Sequence, residues 1–98
     1  MAKIFFVGLD GTEKSYRLQT HRPFTAGRDP GNDIILRDPK VSRHHAELRR
    51  GETGDWHIAD LGSTNGVKVN GRQVSSSRLR PGDEVTLGTS SFSFDIEQ

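Results

Sequence analysis

The stretch VKVNGRQV, residues 67–74, places two short alternating runs on either side of Asn70-Gly71. A type I′ turn needs positive φ at both central positions, and an Asn-Gly pair tolerates it. The stretch therefore predicts a β-hairpin, with strands at 67–69 and 72–74. The same period of two recurs in Trp56-x-Ile58, Val85-x-Leu87 and Phe92-x-Phe94-x-Ile96, the pattern of strands with one buried face. Helix signals are poor. Eleven glycines and four prolines punctuate the chain at sites such as Asp10-Gly11, Asp29-Pro30-Gly31, Asp38-Pro39, Gly51 to Gly54 and Pro81-Gly82-Asp83. Strands are expected at 2–7, 14–19, 22–26, 33–36, 44–49, 55–60, 67–69, 72–74, 84–88 and 91–96. Many short strands with frequent turns mean an antiparallel sandwich or barrel.

A chain of 98 residues that is 31% hydrophobic suits one small domain over 1–98. Ile, Leu, Val and Phe supply 23 of the 98 residues, just above the level of about one fifth below which disorder is favoured. The core should be thin. No internal repeat, low-complexity tract or linker interrupts it. With 14 basic against 13 acidic residues, no whole-molecule field favours a nucleic-acid or membrane partner, so electrostatic function must be local. The absence of cysteine removes disulfides, thiolate metal sites and cysteine nucleophiles, and fits a reducing cytoplasm. Ile4 to Val7 is too short for a signal-peptide core or a membrane span. A cytoplasmic protein is expected.

Three catalytic or ligand-binding patterns fail on inspection. Ser42, His45 and Asp60 have the residue types of a hydrolytic triad, but Ser42 lacks the G-x-S-x-G elbow that presents a strained nucleophile. A serine at a loop end is more often a capping hydroxyl. His44 and His45 fall in the strand expected at 44–49, where neighbouring side chains point to opposite faces, so they cannot share one metal ion. The surrounding pattern leaves open which of them faces inward; the inward one would be a hydrogen-bonded imidazole tying strand to loop. GLDGTEKS, Gly8 to Ser15, imitates a phosphate-binding loop but has Glu13 where glycine is required before Lys14. Asp10-Gly11 reads instead as a hairpin turn. No enzyme activity, cofactor or metal is expected.

What remains is anion-binding chemistry at strand ends: Arg28 after Gly27, Ser42 with Arg43, and the turn Gly62-Ser63-Thr64-Asn65-Gly66. Each is ordinary alone, since surface arginines are usually solvated and such turns common. A sandwich that gathers its loops at one end would bring them together. Arg37, Lys40, Arg43, Arg49, Arg50, Arg78 and Arg80 suggest a polyanion surface, but no aromatic residues are interleaved among the arginines, and a solvated face explains them better.

These residues resemble the pattern of the forkhead-associated (FHA) domain. The resemblance runs through Gly27-Arg28, Asn32-Asp33-Ile34, Val41-Ser42-Arg43-His44-His45-Ala46, Trp56 to Asp60, Gly62 to Gly66, Val69-Asn70-Gly71, and Gly82-Asp83 with Leu87-Gly88. It implies an all-β, antiparallel β-sandwich of about eleven short strands with its functional loops at one end. It also implies a non-catalytic module that binds phosphothreonine peptides. By the resemblance, Arg28, Ser42 and Thr64 contact phosphate with Arg43 beside them, and Asn65 holds the peptide backbone. Gly27, His45 and Gly66 shape the loops. His44 has no assigned role. Val67 stands where the family often has threonine, and valine suits a strand equally. In some relatives the position occupied by Lys40 reads a peptide side chain, which implies preference for an acidic residue three positions after the phosphothreonine.

The chemistry fits that allocation. Phosphothreonine carries about −1.5 to −2 charge and three acceptor oxygens, which guanidinium and hydroxyl donors meet with charge-assisted hydrogen bonds. Such bonds contribute about 1.5 to 3 kcal/mol each, against an association cost of about 4 to 15 kcal/mol, so dissociation constants around micromolar are expected. The expected partner is a phosphothreonine-containing protein or a Ser/Thr kinase, with neither nucleic acid nor membrane. The competing expectation is a phosphate-independent scaffold of the same fold.

Overall fold

The structure is a computed structural model and describes residues 2–7, 13–18 and 22–96. Eleven strands form among them: β1 Ala2–Val7, β2 Glu13–Arg17, β3 Phe24–Gly27, β4 Ile34–Ile35, β5 Ala46–Arg50, β6 Trp56–Asp60, β7 Val67–Val69, β8 Arg72–Val74, β9 Ser76–Leu79, β10 Glu84–Leu87 and β11 Ser90–Ile96. They make two sheets, one ordered β2-β1-β11-β10-β7-β8 and the other β4-β3-β5-β6-β9. The all-β sandwich expected from the sequence is what forms, and among the described residues there is no helix.

Residues 67–74 make the hairpin that their spacing predicts. Val67 pairs with Val74 and Val69 with Arg72, while Asn70 and Gly71 take φ of 53° and 82°. Both signs are positive, as a type I′ turn demands. The turn is also tied to β10, because Asn70 Oδ1 accepts the Glu84 N–H at 2.9 Å and the Asn70 N–H donates to the Glu84 carbonyl at 2.8 Å. The Asp10-Gly11 turn lies outside the described residues, although β1 and β2 pair antiparallel from Lys3↔Arg17 to Val7↔Glu13.

Each sheet turns one face inward. Ile4, Val67, Val85, Leu87, Phe92 and Phe94 come from one sheet; Phe24, Ala26, Ala46, Leu48, Trp56, Ile58 and Leu79 from the other. Leu36 and Val41, on the β4–β5 connection, are also buried. Their burial pins that loop to the sandwich, and the site grows from it. Val67 is fully buried.

Three departures from the sequence reading have physical causes. β9 was not expected, because Ser76-Ser77-Arg78 offers no apolar alternation; it forms at a sheet edge by pairing with β6, where Leu79 meets Trp56. β3 and β4 pair in parallel, Ala26 with Ile34 and Gly27 with Ile35, so the architecture is not wholly antiparallel. β5 begins at Ala46 rather than 44, leaving both histidines on the loop before it, His44 exposed and His45 fully buried.

Candidate functional site

The β3–β4 and β4–β5 connections are laced together by backbone bonds. The Arg28 N–H donates to the Ser42 carbonyl at 3.0 Å and the Asp29 N–H to the Arg43 carbonyl at 3.1 Å. The buried Asn32 amide adds two more, to the Asp29 carbonyl at 2.9 Å and the Arg43 carbonyl at 2.7 Å. The Arg43 carbonyl therefore lies hard against β3, and a Cβ at position 27 would overlap its oxygen. Glycine is needed at 27 for space.

His45 joins this pair of loops to the β6–β7 connection. Its Nδ1 accepts the Ser42 N–H at 3.0 Å, and its Nε2 lies 2.8 Å from the Gly66 carbonyl. An acceptor at Nδ1 and a carbonyl facing Nε2 specify the neutral tautomer with the proton on Nε2. The His45 backbone accepts from Leu61 at 2.9 Å and donates to Ala26 at 3.0 Å, so ring and main chain both hold the β6–β7 connection while the main chain also anchors the loop to β3.

The β6–β7 turn folds onto Ser42. The Thr64 N–H donates to Ser42 Oγ at 3.0 Å, and Asn65 Nδ2 donates to the Lys40 carbonyl at 2.8 Å. Within the turn, the Ser63 N–H bonds Asp60 Oδ1 and Ser63 Oγ accepts the Gly66 N–H, both at 2.9 Å. Such side-chain bonds to nearby backbone hold the turn without a regular ladder. Gly66 takes a φ of 79°, which suits glycine.

The polar atoms left over share one chemistry. Arg28 Nε donates to the Val41 carbonyl at 3.0 Å, which lays its side chain against the residue before Ser42. Among the described residues, no protein acceptor takes the Nη atoms of Arg28, the Arg43 guanidinium, the Thr64 hydroxyl or the hydroxyl proton of Ser42. Arg28, Arg43, Thr64 and Asn65 are exposed, and Ser42 is half-buried. The loops thus present cationic and hydroxyl donors toward water with their frames already fixed. Such an arrangement can accept an oxyanion without first breaking internal bonds.

Asp38, which in the sequence is only turn punctuation before Pro39, is a structural partner of this site. It is 2% exposed and receives the Lys40 N–H at 2.9 Å, the Thr89 N–H at 2.8 Å and the hydroxyls of Thr89 and Ser90. Burial works against its charge, yet the Thr89 hydroxyl, the Lys40 and Thr89 amides and the Ser90 hydroxyl outweigh it and hold the carboxyl down at about 2. This network fastens the β4–β5 loop to the β10–β11 turn. Nothing local in the sequence marks a contact that spans 51 residues. Asn32 likewise has a role that composition hides, since only its partner carbonyls reveal it.

The structure therefore brings Arg28, Ser42, Arg43, Thr64 and Asn65 to one end of the sandwich, on the frame of Gly27, His45 and Gly66. Lys40 stands beside them, its carbonyl held by Asn65. A groove of about 210 Å³ runs from there, lined by Lys40, Asn65, Lys68, Thr86, Gly88 and Thr89. Lys68 was not anticipated at the site, because as an exposed residue of β7 it reads as strand polarity. His44 is exposed and joins none of these bonds.

Known proteins similar to this chain agree with one another. The model of the family described as FHA domain matches residues 24–88. The oxoglutarate dehydrogenase inhibitor of Corynebacterium diphtheriae is 46% identical over 79 residues, which are 80% of this chain and 54% of that protein. The glycogen accumulation regulator GarA of Mycolicibacterium smegmatis is also 46% identical over 79 residues, covering 80% of this chain and 49% of its own. The chain thus spans about half the length of these relatives. Among solved structures, one from a structural and functional analysis of phosphothreonine-dependent FHA domain interactions superposes with a TM-score of 0.88 at 31% identity, covering 99% of this chain and 97% of its own.

Proposed function

This chain belongs to the FHA domain family, and from that membership we propose that it is a non-catalytic module recognising phosphothreonine in a partner protein of Ser/Thr kinase signalling. The observation that carries the reading is the Thr64 N–H bond to Ser42 Oγ, with Arg28 tied to the adjacent Val41 carbonyl. Three separate connections meet there, and their free donors all suit a dianion. Arg28, with Arg43 beside it, supplies positive charge; Ser42 and Thr64 supply hydroxyls to the phosphate oxygens. Asn65 keeps a carbonyl and a second N–H for the peptide backbone while its first N–H holds Lys40.

Lys40 and Lys68 line the flanking groove. Their charges favour acidic residues on the segment following the phosphothreonine, with position three as the best candidate. Rim charges of this kind affect association rate and discrimination more than total affinity.

The test is calorimetric titration of a phosphothreonine peptide, its phosphoserine twin and the unmodified form. A dissociation constant around micromolar is expected for the first, about −8 kcal/mol. Arg28→Ala and Ser42→Ala each remove charge-assisted hydrogen bonds, and losses of about ten- to a hundredfold follow. Equal affinity for modified and unmodified peptides would overturn the proposal. Binding that survives Arg28→Ala would mark a phosphate-independent scaffold instead.

A further inference from the structure

At the far end of the sandwich from these loops, where β7 and β9 finish, a second groove opens between the outer edges of the two sheets. Its volume is about 480 Å³, and its lining includes Arg72, Arg78 and Arg80 with Val69, Val74 and Ser77. β8 is the last strand of one sheet and β9 the last of the other. The groove is therefore bounded by two edge strands that, among the described residues, have no further ladder partner; the Arg78 carbonyl accepts the exposed Ser77 hydroxyl, at 3.1 Å.

Its charge is positive on balance, three arginines against one carboxylate. The acid in the lining, Asp83, has both oxygens engaged, Oδ1 by Asn70 Nδ2 at 2.9 Å and Oδ2 by the Arg80 N–H at 2.8 Å. Arg78 reaches Asp55 at 3.1 Å, but both side chains are substantially exposed, so the pair holds it weakly. Among the described residues, the guanidinium groups of Arg72 and Arg80 have no acidic partner. Three arginines converge here in a chain whose formal net charge is only +1. Arg78 and Arg80, which the sequence grouped with Arg37, Lys40 and Arg43 as one surface, are separated from them by the length of β7 and β9.

We propose that this groove docks an extended, Asp- and Glu-rich segment of a partner protein, whose backbone adds a strand to the edge of β9 while its carboxylates meet Arg72, Arg78 and Arg80. Two features select that occupant. A strand edge presents donors and acceptors alternately, and a peptide backbone matches both, whereas a nucleic-acid backbone offers acceptors and leaves the edge carbonyls facing like atoms. A second copy of this chain would set arginine against arginine, so these edges resist self-pairing and accept an acidic strand. The inference stands apart from the phosphothreonine reading, because it uses none of the same residues.

The probe is a fluorescent peptide alternating glutamate with valine, titrated against the whole chain. Binding is expected to be unchanged in Arg28→Ala and to weaken at least about tenfold in the double variant Arg72→Glu, Arg80→Glu. Methylating alternate backbone nitrogens of the peptide should abolish it, since the added ladder needs those N–H groups. A thermal melt checks that the double variant folds; amide chemical-shift mapping on the unmodified protein provides a readout independent of it, with shifts expected across Arg72 to Leu79. Equal binding by the double variant or by the methylated peptide would overturn the proposal. So would oligothymidylate of matched charge binding as tightly, or shifts confined to other strands.

Discussion

In Asp38→Asn, the carboxylate that fastens the β4–β5 loop to the β10–β11 turn loses its charge while keeping its shape. The aspartate sits at about 2 in the folded protein against 3.8 as its ordinary value. A gap of nearly two pH units, at about 1.36 kcal/mol each, makes the folded-state preference for the charged form about 2 kcal/mol. A depressed folded value means that this contribution is fully present above about pH 4 and is lost as pH falls through about 2. At pH 7 the variant should therefore be less stable by about 2 kcal/mol, which for a domain of this size lowers the melting temperature by about 10 °C. Urea unfolding followed by the single buried Trp56 gives both stabilities across pH 7 to 2. The difference between the two proteins should shrink steadily below pH 4 and nearly vanish near pH 2. Asp33, also held below its ordinary value by Arg22, is common to both and cancels. A difference that stayed constant from pH 7 to 2 would show that the lost stability owes nothing to the Asp38 charge.

Further predictions concern the frame and the ligand. Gly27→Ala drives a methyl group into the Arg43 carbonyl and should cost about 1–3 kcal/mol by overpacking, read from the same urea curves. His45→Ala opens a buried space and leaves the Ser42 N–H and Gly66 carbonyl unpaired, so a loss of about 3–5 kcal/mol is expected together with weaker phosphopeptide binding. Because the second ionisation of a phosphate ester lies near about pH 6, calorimetric affinity for the phosphopeptide should weaken as pH falls from 7.5 toward 5.

Much of the fold could be read from spacing because a half-buried strand advertises its period, as Phe92-x-Phe94 and Trp56-x-Ile58 do, and because Asn70-Gly71 leaves its turn few alternatives. The ends of the strands were less legible. Ser76 to Leu79 looks like loop until β6 supplies a partner, and Ile34-Ile35 gives no sign that its pairing is parallel. Among the site residues, Ser42 and Thr64 lie 22 positions apart; loops gathered at one end of a sandwich allow them to meet, and the family pattern singled out the pair. The bracing groups were hidden more deeply. Asp38 is a polar loop residue by any local measure, and Asn32 stands out only as part of the matched Asn32-Asp33-Ile34; their burial depends on Thr89, Ser90 and the Arg43 carbonyl arriving from elsewhere. Arg72, at the far groove, reads as hairpin polarity until the sheet edges are placed.

In this reading, loop ends from three connections form one receptor for phosphothreonine. Assigned amide spectra recorded during titration with a phosphothreonine peptide locate that receptor residue by residue. Saturating shifts should concentrate at Arg28, Ser42, Arg43, Thr64 and Asn65 and be absent with the unmodified peptide. Shifts that avoid these residues, or that the unmodified peptide reproduces, would contradict it.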